Sequence, residues 1–312
     1  MSRTKWGAAW IAVRRAAGCF ALATLMATSV AAELDAPHAR RIVSLNPSLT
    51  AILISIGARD SLVGVDDFSS RQQPEVKDLP LVGGLFSPSL EAVVALEPDL
   101  VVLVPSAEQR DFRSRLEALG IELAVFHNIR YEQVLENIER LGKLVGRQPQ
   151  AAARIDAIEQ TRAAVKRAVA RRARPKTLVI LQRSPIFVVG RGSFIDEMLT
   201  TVGADNLGAT FEEAYPRVAT EWLVAAAPEV LLDMSLDPED AADFWSRWST
   251  IPAVREGRVH RLEAAQVTLP GPQLDQALEM LASALHGDAI LAEIASERRR
   301  LAAARSESTT TP

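Results

Sequence analysis

Short apolar runs alternate with segments of helical periodicity along the chain from residue 41 onwards. The runs RIVSL, LVGV, DLVVLV and ELAVF are strand-like, and stretches with apolar residues at every third or fourth position separate them. Strands that are apolar throughout, such as VVLV, are typical of a sheet that helices cover on both faces. The first half of the chain therefore predicts parallel α/β layering.

The pattern changes between residues 131 and 173, where helical spacing continues without a strand-like run. Residues 150–172 are rich in Ala, Arg and Glu, which favours a helix. Strand-like runs then return as TLVIL, FVVG, VLLD and RVHRL, and a further helical pattern covers residues 273–285. We predict a first lobe at 41–146, a long linking helix at 150–172, a second lobe at 175–290 and a disordered polar tail at 299–312.

Two segments of the first half have counterparts in the second. LFSPSLEAVVALEPDLVVL (85–103) corresponds to YPRVATEWLVAAAPEVLLD (215–233), with one Glu near the start of a short apolar helix and a Pro seven positions later. ISIGARDSLVGV (54–65) corresponds to TTVGADNLGA (200–209), each with Gly-Ala at the end of a helix. Two matches in the same order indicate an internal repeat. The fold class that we predict is α/β, with two related parallel α/β lobes joined by one long backbone helix.

The first thirty-two residues have the composition of a secretory signal peptide. A basic start precedes the uncharged run AAGCFALATLMATSV, and small residues follow at VAAE. Fifteen apolar residues are fewer than the roughly 20 that a membrane-spanning helix needs. We therefore predict export to the periplasm and cleavage near Ala32, by either the general or the twin-arginine route. Cys19 is the only cysteine and lies in this segment, so the mature chain would have no thiol.

Charge argues against nucleic acid as a partner. The whole chain has 35 basic and 39 acidic residues, and residues 1–32 contain four of the basic and none of the acidic ones, so the mature balance is about −8. The basic segment RAVARRARPK stands at a predicted helix end and forms no extended stripe.

The ordered motifs resemble a known family. PSLTAILISIGARDSLVGV, LPLVGG and SLEAVVALEPDLVV, followed by YPRVATEWLVAAAPEVLL, IPAVREGRVHRL and LPGPQLDQALEMLA, are similar to the helical-backbone substrate-binding proteins of bacterial ABC importers for vitamin B12, haem and ferric siderophores. The resemblance covers residues 41–285. It implies a monomer with a ligand cleft between the lobes, no intrinsic cofactor, and a permease dimer with its ATPase as partners.

Within the family the chain resembles the B12-binding branch, so a corrinoid is the ligand that we expect, with haem or a ferric siderophore as the alternative. One departure leaves the ligand open. B12-binding members often carry an aromatic-Pro pair where this chain has RQQP (71–74), and its aromatic content is only 5%.

Glu91 and Glu221 stand at matched positions of the repeat. The resemblance implies that one glutamate on each lobe docks against arginines of the permease, and these two residues match that motif. Charge pairs set the register of an interface. The alternative is that both are ordinary helix-start charges, which the helix dipole favours.

Ligands of parallel α/β lobes bind beyond the carboxyl ends of the strands. Aromatic residues there offer flat walls for a planar ligand, and arginines match carboxylates or phosphates. The candidate ligand-binding residues on this basis are Asn46, Ser48, Phe68, Phe86, Arg183, Phe187, Tyr215, Arg217 and Trp245. Several of them have an alternative role: Phe86 and Phe187 could be core residues, Trp245 could pack a helix against its lobe, and the arginines could be solvated surface residues.

Metal and catalytic motifs are sparse. Only His127 of the four histidines follows a strand, so binding of a free metal ion is not expected, although His127 or Tyr215 would be the axial residue if the ligand were haem. GRGSF (190–194) is not a nucleophile elbow, and a secreted α/β hydrolase would need a Ser-His-acid set that the sequence does not assemble. We predict that the protein is not an enzyme.

Overall fold

The first lobe is built on a parallel sheet. The computed structural model of the protein describes residues 41–106 and 110–309. The four described strands of this sheet run in the order β2-β1-β3-β4, where β1 is Ile42–Ser44, β2 is Leu62–Val65, β3 is Leu100–Leu103 and β4 is Glu122–Val125. Each neighbouring pair is parallel. All residues of β1 and β3 are buried, as expected for central strands with helices on both faces.

Short helices connect these strands, and local sequence sets where they begin. The helices are α1 (Pro47–Ser55), α2 (Asp67–Gln72), α3 (Leu90–Ala95) and α4 (Arg110–Ala118), with 3₁₀ turns at Arg59–Ser61 and Pro74–Val76. The side chains of Asn46, Asp66 and Ser89 accept hydrogen bonds from the first-turn amides of α1, α2 and α3. Such caps satisfy amides that have no partner inside the helix.

Two consecutive helices lead from the first lobe to the second: α5 (Tyr131–Leu144) and α6 (Gln148–Val169). The linking helix predicted at 150–172 thus starts two residues earlier and ends three residues earlier than the pattern indicated. Buried residues of α5, α6 and both lobes form one continuous hydrophobic cluster. The bridge is therefore part of a shared core.

The sheet of the second lobe, which lies wholly within the described residues, is mixed. Its strands run in the order β10-β9-β5-β6-β8, with β7 beside β5; they are β5 (Lys176–Arg183), β6 (Ile186–Val188), β7 (Asp205–Asn206), β8 (Arg217–Val218), β9 (Val230–Asp233) and β10 (Val259–Arg261). β9 is parallel to β5 and to β10, but β6 is antiparallel to both β5 and β8. Only Ser184 and Pro185 connect β5 to β6, and a two-residue link joins antiparallel neighbours. The predicted α/β class with two lobes is confirmed, and the second lobe adds this antiparallel hairpin to its parallel strands.

The helices of this half are α7 (Phe194–Thr201), α8 (Thr220–Ala226), α9 (Ala241–Trp245), α10 (Pro252–Arg255), α11 (Ala264–Thr268), α12 (Leu274–His286) and α13 (Ala289–Thr309), with 3₁₀ turns at Leu207–Thr210 and Ser246–Trp248.

The sequence repeat corresponds to matched backbone turns. After α1 and α7 the chain passes through Gly57 and Gly203, whose φ angles are 74° and 76°. Glycine adopts this left-handed conformation without strain, which is why it follows so many helices. After α3 and α8 the chain instead uses Glu97 and Ala227, with φ of 44° and 48°, each directly before a proline. The two lobes therefore share local geometry as well as sequence pattern.

The C-terminal segment is helical, and the prediction of a disordered tail at 299–312 was wrong for the part that the structure describes. α13 continues to Thr309. Its apolar residues Ile290 and Ile294 are fully buried in the shared core, and the helix packs along α6. Packing against a neighbouring helix supplies the stability that composition alone does not show. Residues 310–312 lie outside the described residues.

The predicted signal peptide, residues 1–32, also lies outside the described residues. Within the described part of the chain, no helix combines the length and apolar character that a membrane span requires.

Candidate ligand-binding cleft

An apolar cavity of about 390 Å³ lies beside the carboxyl ends of strands from both lobes. Asn128 and Ile129, which follow β4, line it from the first lobe. Met234 and Leu236, which follow β9, and Tyr215, which precedes β8, line it from the second. Because ligands of α/β proteins bind beyond strand carboxyl ends, this cavity is the candidate ligand site.

Two exposed aliphatic residues of the cavity wall were missed by the sequence analysis. Ile129 is 51% exposed and Leu236 is 89% exposed. Each is a single large apolar residue in a polar loop directly after a strand, as in HNIR and SLD. This isolated position is the sequence signal that could have identified them as cavity residues, because an apolar side chain in a polar loop has no hydrophobic core nearby in the sequence to pack into.

The predicted aromatic residues differ in exposure. Phe68 and Tyr215 are 40% and 39% exposed, Phe86 is 60% exposed, and Phe187 is half-buried within β6. Phe68 follows β2 and carries the Arg71 guanidinium over its ring at 5.2 Å from the centroid. Of these four aromatic residues, Tyr215 lines the apolar cavity, where it offers the flat surface that a planar ligand needs.

Asn46 and Ser48 form the start of α1. The Asn46 Oδ1 atom accepts a hydrogen bond from the Ser48 amide at 2.9 Å, and both residues are buried. The Asn46 oxygen is thus already used as a helix cap. These two residues shape the end of β1 and leave little surface for a ligand.

Arg183 and Trp245 do not line the cleft, and their assignment as ligand residues is corrected by the structure. Both are buried and donate to the same carboxylate: Arg183 Nε lies 2.9 Å and Trp245 Nε1 lies 2.7 Å from Asp233 Oδ2. Arg183 Nη1 also donates to the Glu239 carbonyl at 2.8 Å. A carboxylate buried at the end of β9 requires nearby donors, and these two side chains supply them.

The electrostatics of this group are consistent with an ionised Asp233. Burial by itself raises the pKa of Asp233, but hydrogen bonds from Ser235, Trp245 and Arg183 outweigh it and hold the pKa below its ordinary value. Arg183 is therefore paired with a charge inside the protein. Arg217, by contrast, is exposed on β8 opposite Phe187 of β6 and is not among the residues that line the apolar cavity.

Glu91 and Glu221 occupy equivalent places. Each is the second residue of its helix, α3 or α8, and each side chain is exposed. Ser89 caps α3 and its hydroxyl lies 3.3 Å from Glu91 Oε2, whereas Ala219 offers α8 no side-chain cap.

Comparison with known proteins places the chain in a family. Residues 42–265 match the family described as periplasmic binding protein. The match spans both sheets and the two helices between them. The chain belongs to the periplasmic binding protein family.

Relatives and solved structures of this family differ in what they bind. A vitamin B12-binding protein of Vibrio campbellii is 28% identical over 254 residues, covering 81% of this chain and 90% of the relative. The crystal structure of a periplasmic vitamin B12-binding protein of Vibrio cholerae shares the fold, with a TM-score of 0.70 at 24% identity over 80% of this chain and 97% of its own. A periplasmic haem-binding protein of Roseiflexus sp. RS-1 has a TM-score of 0.70 at 25% identity, over 82% and 99%.

Family membership confirms the main predictions from the sequence. The protein is a substrate-binding protein with two α/β lobes, of the kind that works with ABC transporters, and its relatives are periplasmic proteins or lipoproteins. Members of this family bind ligands and are not enzymes, so the prediction that the chain is not an enzyme is confirmed.

No metal-binding cluster of three or more His, Cys, Asp or Glu side chains occurs among the described residues. His127 follows β4 and is exposed, and its backbone carbonyl accepts a hydrogen bond from Asn137 Nδ2 at 2.8 Å.

Proposed function

We propose that this periplasmic binding protein captures a corrinoid and delivers it to an ABC importer. The observation that carries the proposal is the set of curated relatives named for vitamin B12 or cobalamin binding, which come from Vibrio and Halobacterium at 27–28% identity. The cavity is compatible with such a ligand because its walls are largely apolar and the partly exposed ring of Tyr215 is one of them.

Haem is the second candidate, because solved haem-binding structures share the fold at 25% identity. Haem iron needs an axial ligand, and tyrosine serves as one in its phenolate form. Burial raises the pKa of Tyr215 to about 12, which favours the neutral phenol. Coordination to iron itself lowers the pKa of a phenol, so Tyr215 could serve either as a flat wall for a corrinoid or as an axial ligand for haem, and titration separates the two.

Calorimetric titration with cyanocobalamin, haemin and a ferric hydroxamate tests the ligand. We expect cyanocobalamin to bind most tightly of the three. Tight binding of haemin or the hydroxamate without binding of cyanocobalamin would overturn the corrinoid proposal and leave the family assignment intact.

Substitutions of Tyr215 separate the two roles of its side chain. Tyr215→Phe keeps the ring and removes the hydroxyl, so corrinoid affinity should stay within about twofold, whereas Tyr215→Ala removes a stacking wall and should weaken binding about tenfold. If the ligand were haem held by Tyr215, Tyr215→Phe would instead change the absorbance spectrum of the bound haemin.

For delivery, we propose that Glu91 and Glu221 dock on the permease dimer, through which the protein acts with the ATPase. A two-lobed protein with one exposed carboxylate at the same helix position on each lobe offers paired contacts to a two-fold partner.

For localisation, we propose a periplasmic protein exported by a cleavable signal peptide. The composition of residues 1–32 and the periplasmic relatives support this. Amino-terminal sequencing of protein from the periplasmic fraction should show a start after Ala32, and an uncleaved amino terminus would contradict the proposal.

A further inference from the structure

A second cavity between the lobes is lined by five glutamines and two glutamates together with apolar residues. Its volume is about 470 Å³. From the first lobe it is lined by residues of α1 and by Gln72 and Gln73; from the second it is lined by α11 and the start of α12, with Gln266, Gln273 and Gln276. We call these five glutamines the glutamine pocket. Because they come from both lobes, the pocket is formed only when the two lobes are held together.

The charge of this pocket excludes one class of ligand group. Its described lining residues include two carboxylates, Glu75 and Glu263, and no Lys, Arg or His. A carboxylate placed here would meet like charges and no cation, which is unfavourable. A neutral primary amide meets no such penalty, and it both donates and accepts hydrogen bonds, as glutamine does.

Gln73, which lines the pocket, has one side-chain atom, the amide oxygen, without a hydrogen-bond donor among the described residues. It is 8% exposed, and its Nε2 donates to the Pro47 carbonyl at 2.7 Å. That bond fixes the orientation of the amide, because a flipped amide would set two oxygens against each other. Its Oε1 is buried without a hydrogen-bond donor among the described residues. A buried acceptor in this state favours the approach of a donor group.

The glutamine pocket and the apolar cavity lie on two different faces of one helix, α11. Ala264 and Thr268 of α11 line the apolar cavity, whereas Gln266 of the same helix lines the glutamine pocket, so α11 is a shared wall. On the first lobe, Phe68 and Gln72 are four residues apart in α2 and therefore share one helix face. The exposed ring and the amide thus stand on the same face of α2.

We propose that the glutamine pocket binds primary carboxamide groups on the periphery of the transported ligand. The proposal rests on the corrinoid function above, because a corrin ring carries acetamide and propionamide side chains whereas haem carries carboxylates. The apolar cavity and the exposed aromatic rings receive the macrocycle, and the glutamine pocket recognises its amides. The pocket is thereby the part of the site that selects amide-bearing macrocycles over carboxylate-bearing ones.

Two corrinoids with the same ring test this selectivity: dicyanocobinamide, whose side chains are amides, and dicyanocobyrinic acid, whose side chains are carboxylates. The parent protein should bind the carboxylate form at least about tenfold more weakly, because its charges lose water without gaining a cation. Gln276→Lys should narrow that difference by supplying a cation.

Alanine substitutions locate the contacts. Gln72 and Gln276 are exposed, so their replacement leaves the fold intact. Gln72→Ala and Gln276→Ala should each weaken dicyanocobinamide binding by about 3- to 10-fold, the usual effect of one lost hydrogen bond. Gln150→Ala, an exposed glutamine of α6 outside the pocket, is the matched control and should change affinity by less than about twofold.

The outcomes distinguish this proposal from the function on which it rests. Equal affinity for the two corrinoids, or glutamine variants that behave as the control does, would overturn the amide pocket and leave corrinoid binding standing. Binding of haemin with no binding of either corrinoid would overturn both.

Discussion

At the scale of single residues, the clearest feature is the buried carboxylate of Asp233 with its two donors. The Arg183 and Asp233 side chains are 1% and 0% exposed, so this ion pair is almost wholly removed from water. Trp245 completes the group from α9, and its ring packs edge-on against Phe244. A buried ion pair adds little net stability, because the cost of removing both charges from water offsets their attraction. Removal of one partner, however, leaves an unpaired charge in the core. The Asp233, Arg183 and Trp245 group therefore limits which residues are tolerated at the end of β9.

We expect Arg183→Ala to lower the free energy of unfolding by about 3–5 kcal/mol, because it leaves the Asp233 carboxylate buried without its cation. Arg191→Ala is the control: Arg191 pairs with Glu212 on the surface, and its loss should cost no more than about 1 kcal/mol. Urea unfolding measures both. An Arg183→Ala protein as stable as the parent that has lost ligand binding would restore Arg183 to the ligand site.

At the scale of elements, a pair of carboxyl groups joins the bridge to the second lobe. Glu132 lies at the start of α5 and Glu197 lies in α7, where its Oε1 is 3.4 Å from the amide of Tyr131. Arg162 of α6 lies 3.3 Å from Glu132 and stacks over the Tyr131 ring at 4.2 Å. Burial, followed by the hydrogen bond with Glu132 and repulsion from its charge, raises the pKa of Glu197 to about 7.

This pair makes stability depend on pH near neutrality. A carboxyl group whose pKa is raised in the folded state stabilises the fold while it is protonated. For Glu197 this stabilisation is complete below the ordinary Glu pKa of 4.5, and it is lost as the pH rises through about 7. We expect the urea midpoint of the parent to fall between about pH 5 and pH 8, and the midpoint of Glu197→Gln to fall less, because the amide stays neutral.

Glu136→Gln is the control for this experiment, since Glu136 is exposed on α5 outside the cluster, and it should reproduce the pH profile of the parent. A Glu197→Gln profile that follows the parent across the same range would show that the carboxyl pair does not carry the effect.

At the scale of the whole molecule, the two lobes are held by stacked helices. α6 packs on α5 and on the later helices α12 and α13, and the Arg298 guanidinium of α13 donates to Thr161 Oγ1 of α6 at 3.2 Å. Arg154 of α6 also pairs with Asp275 of α12. Hinge closure requires a few loop residues that absorb large changes in φ and ψ. A bridge built of packed helices supplies no such pair of hinges.

We therefore expect limited lobe motion when ligand binds. In mature protein carrying Glu117→Cys on the first lobe and Glu256→Cys on the second, both exposed positions, the distance between attached spin labels should change by less than about 2 Å on ligand addition. A large shift in the distance distribution would instead show a wide hinge closure.

The proposed docking on a permease also belongs to the scale of the whole molecule, because it would use both lobes at once. Glu91→Gln and Glu221→Gln should each change the free energy of unfolding by no more than about 0.5 kcal/mol, since both side chains are exposed. Ligand affinity should be nearly unaltered while uptake falls, most in the double variant. Glu91→Arg with Glu221→Arg should reduce uptake further, because like charges then meet across the interface.

The control for docking is the pair Glu117→Arg and Glu256→Arg, which makes the same charge change once on each lobe at exposed positions outside α3 and α8. Uptake by this pair should match the parent. If the Glu91→Arg, Glu221→Arg protein folds, binds ligand and still supports full uptake, the two carboxylates are helix-start charges and nothing more.

Much of this architecture was determined by the sequence alone. The apolar strands, the helix starts at Asn46 and Ser89, and the glycines after α1 and α7 are local features, because caps and turns depend on a few neighbouring residues. The repeat and the long strandless interval then led to two lobes and a helical bridge. Each of these signals lies within one segment of the chain, so it can be read without knowing what the segment packs against.

Only the tertiary structure decided which candidate residues reach the cleft. Arg183 and Trp245 have the same local sequence signals as cleft residues. In the structure both are buried in the core, where they donate hydrogen bonds to Asp233, which is 50 positions from Arg183 and 12 from Trp245. The C-terminal helix is polar by composition, yet Ile290 and Ile294 bury themselves against the shared core. The glutamine pocket joins α2 to α11 and α12 across nearly two hundred residues. Whether a side chain is buried, and which residue it pairs with, depends on contacts between residues far apart in sequence. A local sequence pattern carries no information about such contacts.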